Sequence, residues 1–184
     1  LANVDLTNRC NLTCPVCFAN ANAAGYLYEP DLAGIRRMLE ALRNERPVAG
    51  RVVQFSGGEP TIHPNFLEAI SMARDMGFSH IQVATNGLMF NNLEFAMAAK
   101  EAGLHTLYLQ FDGVTDDVYL RTRGEALMEK KVRCIENVRQ TGMKICFVPT
   151  IVKGINDHQI GDIIRFAIDN IDVVSAISFQ PVSF

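Results

Sequence analysis

A chain of 184 residues with 48% hydrophobic content holds enough apolar material for one sizeable core, and its length suits one domain over residues 1–184. The net charge of −3 excludes a chain-wide basic footprint, so no nucleic-acid partner is expected. No apolar run is long enough to span a bilayer and no signal-like opening is present, so a cytoplasmic location is expected.

Taken in chain order, short β-branched and aromatic runs mark strands at residues 1–6, 51–55, 80–85, 105–111, 143–149 and 175–180. Between the first two, Leu32, Ile35, Met38, Leu39 and Leu42 recur at helical spacing. Asn65 is a candidate N-cap for a helix whose buried face is Phe66, Ile70 and Ala73. Leu127, Val132, Ile135 and Val138 form a later stripe, and Asn156 precedes one made of Ile160, Ile163, Ile164, Ala167 and Ile168. Gly77, Gly103 and Gly142 fall where helical patterns stop and strands begin.

Alternating strands and helices demand crossover connections, which predicts parallel strands, helices outside and ligands at the carboxyl ends. Six strands and five helices make an open, three-quarter α/β barrel of the β6α6 type. The chain stops just after its sixth strand without a closing helix, so it is expected to be the core of something longer.

Directly after the first strand, Cys10, Cys14 and Cys17 have the spacing C-x3-C-x2-C. Three cysteines within eight positions suit a metal site in a reducing compartment better than a disulfide framework. Three thiolates on one loop can ligate three irons of a [4Fe–4S] cube and leave the fourth iron open, whereas an electron-transfer cluster normally has four protein ligands. Cys134 and Cys146 lie far away on a predicted helix and strand and read as buried small hydrophobes. Zinc, with His63 as fourth ligand, is the rival, although structural zinc sites usually pair C-x2-C knuckles. A zinc-stabilised binding module and a simple electron carrier remain as non-enzymatic readings. The four histidines form no ligand-spaced pair, and Arg121 and Arg123 read as a solvated charged turn or, failing that, a receptor for an anionic group.

On this loop the chain resembles the radical S-adenosylmethionine superfamily, whose members carry C-x3-C-x2-C after the first barrel strand. The resemblance implies two cofactors, a [4Fe–4S] cluster and S-adenosylmethionine, with the cofactor's methionine part chelating the open iron. It also implies a low-potential electron donor such as ferredoxin or flavodoxin, and a 5′-deoxyadenosyl radical that abstracts hydrogen from a substrate C–H bond. Val16 stands where the family's backbone touches adenine, and Phe18 is placed either to stack on the cofactor or to cover the core.

Ser56-Gly57-Gly58-Glu59-Pro60 matches the family's Gly-Gly-Glu-Pro motif one strand later. Paired glycines permit close backbone approach, and Glu59 is the expected partner of the cofactor's ammonium. By the same resemblance, Thr85 and Asn86 end the third strand near cofactor or substrate. Gln110 and Asp112 stand where the family presents polar groups to the ribose and the methionine carboxylate. Thr150 and Val152 are placed to contact adenine, and Gln180 faces cofactor or substrate or is structurally bonded.

Within the superfamily, Cys10 through Ala21 together with Val53 through Thr61 look most like archaeal tetraether lipid synthase and its relatives. That resemblance implies hydrogen abstraction from a lipid methyl and carbon–carbon coupling of isoprenoid chains, with a peripheral membrane association for a lipid substrate. Radical methylation of a pterin precursor, or another small-molecule or peptide modification, is the alternative.

Overall fold

The computed structural model describes residues 1–17 and 19–182. Its main sheet has six parallel strands in the order β1 (Ala2–Thr7), β2 (Val52–Gly57), β3 (His80–Thr85), β4 (Thr106–Gln110), β5 (Lys144–Val148) and β7 (Val174–Ile177). Between them run α1 (Leu32–Arg43), α2 (Phe66–Asp75), α3 (Leu93–Ala102), α4 (Asp116–Arg123), α5 (Met128–Thr141) and α6 (Ile160–Asp169). Each crossover carries at least one helix, which gives the expected three-quarter barrel.

Alternate strand residues face alternate sides. Val4, Leu6, Val53, Phe55, Ile81, Val83, Leu107, Leu109, Ile145 and Phe147 all join the core formed with Ile35, Leu39, Ile70, Ala99, Ile135 and Ile163 of the helices. The opposite, inner face carries polar side chains on β1, β2 and β3. In register across β1, β2 and β3 lie Asn3, Gln54 and Gln82, and one layer nearer the carboxyl ends lie Asp5 and Ser56, then Ala84, Tyr108 and Cys146.

Besides α4, a sixth helix where five were expected, three details differ from the sequence expectation. The last strand does not run through 175–180: β7 ends at Ile177, and Gln180–Pro181 (β8) instead pairs with Thr150–Ile151 (β6) in a separate two-stranded sheet. Asn65 precedes α2 but its side chain makes no capping bond, while its backbone N–H donates to His63 Nδ1 at 3.1 Å. Asn156 is fully buried and serves the β5–β6 region, accepting from Val152 N–H at 2.7 Å and donating to the carbonyls of Asp112 and Thr150, both at 2.8 Å.

Candidate cluster and cofactor site

The cysteine loop leaves the carboxyl end of β1 and is tied at its base by side chains. Asn8 donates to the Tyr26 carbonyl at 2.7 Å and accepts from Tyr28 N–H at 3.0 Å, while Arg9 forks onto Glu29, to which Thr7 also donates. Asn22, with a left-handed φ of 66°, accepts from Cys10 N–H at 2.9 Å and donates to the carbonyls of Cys10 and Leu12. These bonds hold the loop in shape using residues no cysteine motif names.

Under the loop, Leu12, Tyr119 and Leu127 form a small apolar cluster against which Cys10 and Cys14 pack. Burial pushes the Cys10 thiol up to about 11, against the Leu12 N–H and with the charge of Glu59 adding to it. Cys10, Cys14 and Cys17 are all free thiols, and Cys17 is exposed. Phe18 lies outside the described residues. Cys134 and Cys146 are buried. Among the described residues no three metal-ligating side chains close on one ion position. A cube that takes one thiolate per iron does not require such convergence. His63 is committed elsewhere, with Nε2 3.1 Å from the Pro30 carbonyl and Nδ1 bound by Asn65 N–H, so the zinc reading lacks its fourth ligand. The donor set, three free thiols of which Cys10 and Cys14 pack on an apolar cluster, with the Leu12 N–H 3.4 Å from Cys10 Sγ, fits an iron–sulfur cluster.

Close backbone approach fixes the Gly-Gly-Glu-Pro turn against this loop. Gly57 has φ of 130°, and a Cβ there would lie 2.2 Å from the Thr7 carbonyl oxygen; one on Gly58 would lie 2.2 Å from that of Arg9. In return Gly58 N–H bonds Thr7 O at 2.7 Å and Glu59 N–H bonds Arg9 O at 2.8 Å. Pro60 starts a single helical turn capped by Glu59.

Glu59 is 1% exposed. Its Oε1 accepts from Thr61 Oγ1 at 2.5 Å, Thr85 Oγ1 at 2.7 Å and Thr61 N–H at 3.2 Å, and its Oε2 accepts from Asn86 N–H at 2.7 Å. Burial raises its pKa and these donors lower it, with burial the larger effect. The carboxylate therefore knots β2 to β3 as well as lying beside the loop. Asn86 extends the knot, donating to Asn11 Oδ1 of the cysteine loop at 2.7 Å.

The Asp112 side chain, expected to face the ribose or the methionine carboxylate, is bonded within the protein. It is fully buried, and its oxygens accept from Arg123, Gln110, Thr122 and the Thr150 N–H. Arg123, expected as part of a solvated turn, is 9% exposed and joins three elements. It pairs with Asp112 and donates to Thr150 Oγ1 at 3.0 Å and to the Val16 carbonyl at 3.3 Å. Burial opposes its charge, but Asp112 and Cys14 hold its pKa above the ordinary value. Sequence reasoning missed α4, which carries it.

Lys131 of α5 was also missed. It is 1% exposed, and Nζ donates to the carbonyls of Asn86 and Gln110, both at 2.7 Å, and to Gln110 Oε1 at 2.8 Å. Gln110 thus spends its oxygen on Lys131 and one N–H on Asp112. Val152 is buried, and Gln180 is exposed on the edge of the small sheet, where its N–H bonds the Pro149 carbonyl. Hydrogen bonds link Val16, Asp112, Thr150, Gln110, Asn86, Glu59 and Thr85 through Arg123 and Lys131, with Gly57 and Gly58 packed on the base of the cysteine loop and Val152 reached through Asn156.

A parallel partial barrel with a cysteine loop and a glycine turn at its carboxyl end defines an α/β enzyme core. The family model of the radical SAM superfamily matches residues 4–167, and the chain belongs to that superfamily, whose enzymes use a [4Fe–4S] cluster and S-adenosylmethionine. Among its relatives, the 7,8-dihydro-6-hydroxymethylpterin dimethyltransferase of Methanocaldococcus jannaschii is 52% identical over 185 residues, covering 100% of this chain and 36% of that protein. The GTP 3′,8-cyclase of Microcystis aeruginosa is 27% identical over 187 residues, covering 97% of this chain and 56% of that protein. The chain therefore spans about a third to just over half the length of these relatives. Streptococcus suis SuiB bound to S-adenosylmethionine shares the fold, with a TM-score of 0.79 and 17% identity over 99% of this chain and 39% of SuiB. Among the described residues no helix is long and apolar enough to cross a membrane.

Proposed function

We propose that this chain is the radical-generating core of an enzyme that methylates a reduced pterin. The observation that carries the reading is its 52% identity, along the whole chain, to a 7,8-dihydro-6-hydroxymethylpterin dimethyltransferase. That relative favours the methylation alternative over coupling of lipid chains, which the loop resemblance had put first.

In this reading Cys10, Cys14 and Cys17 hold the cluster, and Gly57, Gly58 and Glu59 receive the methionine end of S-adenosylmethionine. When bound, the cluster supplies the electron that cleaves the cofactor to methionine and a 5′-deoxyadenosyl radical, the electron coming from a ferredoxin- or flavodoxin-like donor. Val16, Thr150 and Val152 lie on the side assigned to adenine. In the same reading Thr85, Asn86 and Gln110 form the cofactor-facing ends of β3 and β4, braced by the Lys131 bonds to Asn86 and Gln110 and by the Asp112–Arg123 pair. Restricting the bound cofactor to one pose is what these side chains contribute.

Anaerobic turnover of the cluster-loaded, full-length protein with a low-potential reductant, 6-hydroxymethyl-7,8-dihydropterin and a separate one-carbon donor tests the proposal. The donor is supplied in parallel arms as excess S-adenosylmethionine and as a methylene-carrying reduced pterin, because radical cleavage leaves the cofactor's own methyl group on methionine. The expected products are 5′-deoxyadenosine and methionine from the cleaved cofactor, and a methylated pterin whose new carbon comes from the one-carbon donor. Methylthioadenosine in place of 5′-deoxyadenosine rejects the radical step, while 5′-deoxyadenosine with an unmethylated pterin rejects the substrate.

A further inference from the structure

The inner face of the barrel carries hydrogen-bonding groups that the fold itself does not use. Gln54 and Gln82 stand side by side in register on β2 and β3, each 9% exposed, with Gln82 Nε2 donating to Gln54 Oε1 at 2.5 Å. That bond leaves Gln54 Nε2 and Gln82 Oε1 without a partner among the described residues, yet neither is sealed from solvent. One free donor and one free acceptor therefore sit together on two side chains that are nine-tenths buried. Flipping both amides exchanges their places and leaves the same pair. Two residues nearer the cysteine loop, Asp5 Oδ1 accepts from Ser56 Oγ at 2.6 Å, while its Oδ2 makes no hydrogen bond among the described residues. At about 3.3 Å per strand residue, the two layers are about 7 Å apart.

We propose that Gln54 and Gln82 form a substrate-recognition pair for the ring amide of a planar, bicyclic nitrogen heterocycle, with Asp5 accepting from an amine or hydroxyl at its other end. This rests on the pterin reading above and names the residues that would read the substrate. An adjacent C=O and N–H on the ring match the free donor of Gln54 and acceptor of Gln82, as two antiparallel amides pair. A hydrocarbon chain in the same place would cover both groups and leave them unpaired, which is costly in a buried site. Gln54 stands two residues before Ser56 on the same face of β2, the strand that runs into the Gly57–Gly58 turn, so a ring held by the pair lies on the strand face leading toward the cofactor end.

Anaerobic titration of cluster-loaded, full-length protein with 6-hydroxymethyl-7,8-dihydropterin, without reductant, tests the assignment. Gln54→Leu and Gln82→Leu should each weaken pterin binding by about tenfold to a hundredfold, as expected for unpairing one buried amide contact. Iron, sulfide and S-adenosylmethionine affinity should not change. Variants that bind the pterin as tightly as wild type overturn the recognition pair alone. A wild-type protein that binds no pterin overturns the substrate reading together with this assignment. Should the leucine variants lose their cluster, Asp5→Asn, at an exposed position, decides the matter: unchanged pterin affinity overturns the inner-face site, and a loss of about fivefold or more supports it.

Discussion

Arg123 meets Asp112 in a two-pronged ion pair, 2.5 Å from Nε to Oδ2 and 3.0 Å from Nη2 to Oδ1, directly under the loop whose Val16 carbonyl it also binds. With Asp112 fully buried, removing the guanidinium leaves an unpaired charge in the interior. Arg123→Met is expected to destabilise the protein by about 3–5 kcal/mol. Denaturant unfolding of the anaerobic protein measures this, and a loss under 1 kcal/mol, the range of an exposed pair, would contradict the buried geometry.

Asn22 grips the cysteine loop through three bonds to the backbone of Cys10 and Leu12. Cys14→Ala should abolish the cluster, taking the protein from about four irons and four sulfides per chain to none. Asn22→Ala should lower iron and sulfide content after reconstitution while changing the melting behaviour of the barrel little, since the loop lies outside the main core. Full cluster content in Asn22→Ala would show that the loop holds its shape without this side chain.

Burial pushes the Lys131 ammonium down to about 8 from 10.5, although Asp112, Cys134 and Glu59 pull the other way and Arg123 with the burial. The unfolded chain therefore binds more protons than the folded one between about pH 8 and 10.5, so stability rises with pH across that window. The cost of charging the buried amine is about 3 kcal/mol, present in full below the lower value and relieved above the upper. Buried thiols such as Cys10, held protonated to higher pH in the folded state, lower stability in the opposite sense above about pH 9. The Lys131 contribution is therefore read as a difference: the unfolding free energy of wild type minus that of Lys131→Met should rise between about pH 8 and 10.5. A variant with the same slope as wild type would assign the titration to another group.

Glu59 gathers donors from Thr61, Thr85 and Asn86 inside the protein. Glu59→Ala strands them, at about 1–3 kcal/mol for each buried group left unpaired. The variant should lose stability and also bind S-adenosylmethionine about tenfold to a hundredfold more weakly. Unfolding and cofactor titration of the same preparation separate the two effects. Weaker binding with unchanged stability would mean that the carboxylate faces the cofactor and is not a knot between strands.

The strands were legible because their apolar runs are short and β-branched, and the stripe through Ile35 and Leu39 or Ile163 and Ala167 has clean helical spacing. The glycine turn and the cysteine loop announced themselves by spacing. Helix α4 did not, because its buried side includes Thr122 and Arg123, polar residues that a periodicity argument counts as solvent-facing. Lys131 was hidden for the same reason: a buried charge becomes legible only when its acceptors, the carbonyls of Asn86 and Gln110, are in view. The inner face left a trace that went unread, since Asn3-Val4-Asp5-Leu6, Val53-Gln54-Phe55 and Ile81-Gln82-Val83 alternate strictly. In a parallel sheet with helices on both faces both sets would be apolar, so that alternation already marks a sheet covered on one side only.

The contact between Gly57, Gly58 and the backbone of Thr7 and Arg9 has a bearing on protein engineering. Because neither glycine leaves room for a single added carbon, the turn after β2 acts as a mould in which the cysteine segment is cast. A designer who grafts residues 8–28 alone onto another barrel transfers the ligands without the surface that shapes them. The portable unit is two pieces distant in sequence, and a host strand with side chains at the glycine positions would splay the transplanted loop away from its neighbour.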